Sequence, residues 1–205
     1  MQHATTMTAP REAAGTGSGS VSGSGFAVQA CLWGVLVALG VCGRLWQPGW
    51  NVTPMAGVAI AAGAVFPNPL VAASVPLVSL AVGNLVLPGY GSLAMAAVVY
   101  AATAWPVLLG RLVMLGEGRM SFRWGAAAGS ALASSLMFFL TTNLAHWWLT
   151  QDYPHTWGGL VACYSAALPF YRWMPVGDVA WTTGILTGLA AAIAALRASR
   201  NTVAA

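Results

Sequence analysis

The chain has 205 residues, 58% of them hydrophobic and only 6% charged, with a formal net charge of +4. A soluble domain carries about a quarter charged residues, so this chain cannot cover a water-facing surface and needs lipid as its solvent. Its eight basic residues are all arginines, several of them near the ends of apolar runs, which suits membrane orientation better than a clustered nucleic-acid-binding face.

Residues 1–25 read as a disordered Gly/Ser-rich tail with no apolar face to bury. The transmembrane domain then covers 26–197, and 198–205 form a short C-terminal tail. The first span, 26–46, is uncharged before Arg44 and long enough to cross a bilayer. The breakers Pro48, Gly49 and Pro54 separate it from a second span, 53–66, made largely of Ala, Gly and Val and too short to cross unaided. Pro67-Asn68-Pro69 ends that span. The third, 69–87, holds a kinking Pro76, and Pro88-Gly89-Tyr90-Gly91 turns the chain into the fourth, 92–115, with Trp105-Pro106 inside it. A polar loop leads to the fifth span, 123–149. Residues 156–173 are apolar but rich in aromatics, Gly and Pro, and 176–196 is the last span.

Arginine placement sets the topology. Arg111, Arg119 and Arg123 flank the fourth-to-fifth connection, and Arg197 and Arg200 follow the last span. Placing both groups in the cytoplasm requires an even number of crossings between them. Residues 156–173 therefore re-enter or lie in the interface. The expected fold is all-α: a polytopic bundle of about six membrane-crossing helices plus that segment, with both termini cytoplasmic. Arg44 and Arg172 fall on the outer side, against the rule.

In this topology the unusual polar residues gather at the outer ends of the spans. The candidate binding residues are Asn51, Thr53, Asn84, Asn143, His146, Trp147, Tyr153, Trp157, Tyr164 and Arg172, with Arg44, Asp152, His155 and Asp178 nearby. Intramembrane polar groups tend to face a bundle interior or a cavity. Asn143 and His146, three apart, share a helix face and present either a ligand site or a helix–helix bridge. Asn51, Thr53 and Asn84 also read as helix caps, and the aromatics as an interfacial belt. Arg172 either pairs with Asp178 or meets an anionic substrate. Cys31, Cys42 and Cys163 have no metal-ligand spacing, and HExxH, GxSxG and Walker A patterns are missing. No enzymatic activity, cofactor or metal is expected.

Three blocks resemble an uncharacterised family of bacterial integral membrane proteins. They are Asn51-Val52-Thr53-Pro54 with residues 59–66, residues 138–147 ending Thr142-Asn143-Leu144-Ala145-His146-Trp147, and residues 153–164 continuing through Pro169-Phe170. Where members often carry Ser-Asp near the end of the third span, this chain has Gly83-Asn84. The resemblance implies a multi-pass protein of the bacterial inner (cytoplasmic) membrane. Its layout also resembles the substrate-binding (S) components of energy-coupling-factor transporters, an analogy at the level of fold. That implies capture of a vitamin- or metal-like solute for uptake, with a transmembrane coupling subunit and ATPase subunits as partners. The alternative is a non-transporting membrane scaffold or assembly factor.

Overall fold

The computed structural model describes residues 19–46, 51–114 and 122–203. Among them the chain is all-helical apart from an isolated bridge between Met114 and Phe122. Helix α1 spans Gly19–Leu45, α2 Met55–Val65, α3 Pro69–Gly83 and α4 Leu93–Ala104. A 3-10 turn, Trp105–Leu109, joins α4 to the short α5, Gly110–Val113. Then come α6 (Trp124–Leu149), α7 (Trp157–Tyr171) and α8 (Met174–Val203). Four stretches are long and apolar enough to cross a membrane: Gly25–Leu45, Leu93–Val113, Trp124–Leu149 and Met174–Leu196. The chain is thus an integral-membrane-type helical bundle.

The helix ends follow local chemistry. Asn68 and Ser92 cap α3 and α4 by accepting from the Leu70 and Met95 amides, at 2.9 and 3.1 Å. Thr156 caps α7 through the Gly159 amide. Pro106 cannot donate to the α4 ladder, and the backbone tightens into the 3-10 turn around it. Several boundaries differ from the sequence reading, among them the end of α3 at Gly83 instead of 87. Helix α1 starts at Gly19, inside the expected tail, and α8 runs to Val203, through most of the other. Propagating a helix from a stable span costs only about 1 kcal/mol per glycine, less than nucleating one. Residues 1–18 and 204–205 lie outside the described residues.

The larger difference concerns the third span, which proves short like the second. Helix α2 has 11 residues and α3 has 15. At 1.5 Å per residue these reach about 16 and 22 Å, short of the ~30 Å hydrocarbon core. Helix α2 manages this because protein, not lipid, surrounds it: Val58, Ala59, Ile60, Ala61 and Ala62 are completely buried. It packs against α1, α3, α6, α8 and the Trp105–Val113 region. With lipid tails as apolar as Leu, such packing rests on close approach of small residues. At Gly63 an added Cβ would overlap the Val107 carbonyl, and at Gly110 one would overlap the α2 backbone.

Side-chain bonds fix the helix directions. Trp33 donates to Ser74, Ser79 to the Val37 carbonyl and Arg44 to Asn84, so α1 and α3 run parallel. Arg111 donates to the Pro67 carbonyl where α2 gives way to α3. We call that end of the bundle lower and the Arg44–Asn84 end upper. The Arg123 amide donates to the Val113 carbonyl, so α6 rises from the lower end. Helix α7 lies along only the upper part of α6, with Tyr164 donating to the Leu140 carbonyl. Residues 157–171 are not among the four long spans.

Candidate functional site

The ends of α1, α2 and α8 meet the sides of α4 and α6 around a chamber. Its volume is about 100 Å³. Arg44, Asn51 and Thr53 line it from the α1–α2 connection side, Thr103 from α4, Ser134 and Phe138 from α6, and Met174 and Asp178 from α8. A second cavity of about 200 Å³ shares Asn51, Phe138 and Met174 with it and is lined further by Asn143, Phe170 and Tyr171. The shared walls make this an antechamber on the α7 side.

Two ionisable side chains define the chamber. Arg44 Nη2 donates to Asn84 Oδ1 at 2.7 Å, and Asn84 Nδ2 donates to the Tyr100 hydroxyl at 3.3 Å. Arg44 Nε is buried with no hydrogen-bond partner among the described residues. Asp178 is 3% exposed and its Oδ2 accepts from Ser135 at 2.6 Å. The two do not pair with each other: among the described residues the one ion pair is His146–Asp152, 3.1 Å. A buried ion without a counter-ion carries a desolvation penalty of several kcal/mol. Neutral amide and hydroxyl partners offset only part of that.

The ten residues expected from sequence divide into three groups. Asn51 and Thr53 line the chamber, and Asn84 orients Arg44 from behind. Neither Asn51 nor Thr53 caps α2: its N-cap is Pro54, with no side-chain bond. Asn51 instead has φ 58°, a left-handed conformation Asn tolerates, and donates to the Phe170 carbonyl at 3.3 Å. Asn143 lines the antechamber while donating to the Phe139 carbonyl. Tyr164 packs edge-on against Phe139, 5.6 Å between ring centres.

The remaining residues form the upper surface. His146 pairs with Asp152 and meets the Tyr153 ring edge-on. Trp147 donates to the Pro154 carbonyl at 3.0 Å and contacts His155. Trp157 is 79% exposed. Arg172 does not pair with Asp178. The turn between α7 and α8 leaves it exposed, 5.6 Å from the Trp173 ring centre, while Asp178 faces α6. Since the His146–Asp152 pair is solvent-exposed, Asp152→Asn is expected to change stability by less than about 1 kcal/mol. Thermal unfolding of the variant checks this.

Sequence reasoning left Arg44 and Asp178 out of the site. The signal that points to them is an ionisable residue inside or ending an apolar span.

The chain matches the family of unknown function DUF6580 over residues 25–201. It belongs to that family. No curated protein and no solved structure matches it. The match covers α1 from Gly25 onward and nearly all of α8, so both charged walls of the chamber lie within the family's extent.

Proposed function

We propose that this DUF6580 protein is the substrate-binding membrane subunit of an uptake system, capturing a small polar solute in the Arg44–Asp178 chamber. The observation that carries the reading is a guanidinium and a carboxylate, both partly or wholly buried, lining one cavity without pairing. Polar groups at this depth are expensive and are retained where they face a cavity with a function. The antechamber on the α7 side offers the route in.

Orientation follows from the arginines. Arg111 and Arg123 stand at the lower end, and Arg197 lies in the last turns of α8. Retained positive charge favours the cytoplasm, so the chamber opens outward and both termini are inside. With the short α2 and α3 each running between the lower surface and chamber level, the bundle makes six passes, two of them partial. Inward release then calls for a transmembrane coupling subunit with ATPases, since the chain carries no nucleotide-binding motif of its own.

The test is thermal unfolding of the purified protein against vitamins, divalent metals and small metabolites. At least one compound near hundredfold its Kd should raise Tm by about 5 °C or more. A panel with no shift at all would remove the support for capture.

Gly83 supplies a selective check. A Cβ there would lie 2.9 Å from Arg44 Cδ and Nε, which can yield by moving the side chain. Gly83→Ala is therefore expected to cost little stability and to lower solute affinity about tenfold, because a guanidinium acts through geometry. Calorimetric titration beside a melting curve separates the two effects.

A further inference from the structure

We infer that the captured solute is small and amphoteric, carrying both an anionic group and a protonated amine. This rests on the capture reading and specifies its substrate class.

The lining is bipolar. A guanidinium has five N–H donors, and Arg44 uses one of them, on Asn84. Nothing acidic meets it among the described residues, so the Arg44 side of the chamber is short of negative charge. Elsewhere the lining offers acceptors. Asp178 accepts from Ser135 through Oδ2, and no described hydrogen bond uses its other oxygen. The Ser134 and Thr103 hydroxyls donate to the Ser130 and Val99 carbonyls of their own helices, at 2.7 Å each. Their protons are therefore occupied, and what they offer the chamber is lone pairs. An ammonium brings three donors and no acceptor, which matches a carboxylate flanked by acceptor-only hydroxyls. A carboxylate brings acceptors only, which matches Arg44.

Size and wall chemistry narrow the class. The chamber's volume of about 100 Å³ suits a small solute of metabolite size. Besides its polar groups the wall carries Met55, Val99, Ala102, Pro106 and Phe138, which suits a solute with some hydrocarbon surface. A solute with one charge fits worse. A simple anion on Arg44 meets the field of Asp178, and a simple amine on Asp178 meets that of Arg44, in a site where little water screens either.

The experiment uses the full-length protein in lipid nanodiscs at pH 7 and calorimetric titration with five probes of matched size. They are 5-aminopentanoate and valine as zwitterions, pentanoate as the anion, pentylamine as the cation and pentanamide as the neutral form. At least one zwitterion should bind about tenfold or more tightly than each singly charged or neutral probe. Asp178→Asn should erase that preference by weakening the zwitterion while leaving pentanoate unchanged or improved. The comparison on the unaltered protein stands even if the variant does not fold. Pentanoate, pentylamine or pentanamide binding as well as the zwitterions overturns the amphoteric class and leaves capture intact. No binding by any of the five overturns both.

Discussion

Arg44→Gln is expected to abolish solute-induced stabilisation while the protein still folds into its bundle. A hydrogen bond to a charged group contributes about 1.5–3 kcal/mol, so one lost contact weakens binding roughly tenfold to a hundredfold. The guanidinium can make two such bonds to one carboxylate, which places the expected loss at the upper end. Glutamine keeps a donor for Asn84 Oδ1, so the Arg44–Asn84–Tyr100 chain loses its charge rather than all its connectivity. Arg44→Lys separates charge from shape: a point charge without the fork should recover only part of the affinity. A scaffold role predicts something else, namely that neither variant alters any solute response.

The second large effect is on folding. Gly63→Ala is expected to destabilise the bundle by about 3 kcal/mol or more, because overpacking against backbone has no flexible neighbour to absorb it. The added methyl would overlap the Val107 carbonyl, and a Cβ at Gly110 would likewise overlap the Gly63 carbonyl carbon and the Ala64 amide nitrogen. Two facing glycines thus allow α2, the most enclosed helix, to touch the 3-10 turn and α5 backbone to backbone. Gly129→Ala is the control, since nothing lies within 4 Å of a Cβ at that position on α6. Alanine's better helix propensity should leave that variant as stable as the parent or slightly more so. Melting temperatures of the two variants in the same lipid or detergent give the comparison.

The elements were legible where local chemistry decides them. Pro67-Asn68-Pro69 and Pro88 to Gly91 mark real helix ends, and Trp105-Pro106 marks the 3-10 break. Composition alone implied lipid as the solvent, and four long apolar helices agree. The depth of the site was not legible. Asn143 and His146 share a helix face, yet Asn143 lines the antechamber while His146 pairs with Asp152 on the following loop. Arg172 and Asp178 are close enough in sequence to suggest a pair. Two turn residues and the start of a new helix send them to different surroundings, which spacing cannot encode. Arg44 looked like an ordinary flanking arginine on the wrong side of the membrane. Its meaning depends on α3 ending beside it and placing Asn84 within 2.7 Å, a tertiary fact. Asn51 and Thr53 read as caps from sequence, whereas they line the chamber and Pro54 takes the start of α2.

The most direct test of capture works with the solute still unidentified. Native mass spectrometry of the protein purified from its own membranes should reveal a small-molecule adduct. That adduct should vanish from the Arg44→Gln/Asp178→Asn double variant prepared in parallel. An unadorned parent protein, or the same adduct on both proteins, would contradict capture in the Arg44–Asp178 chamber.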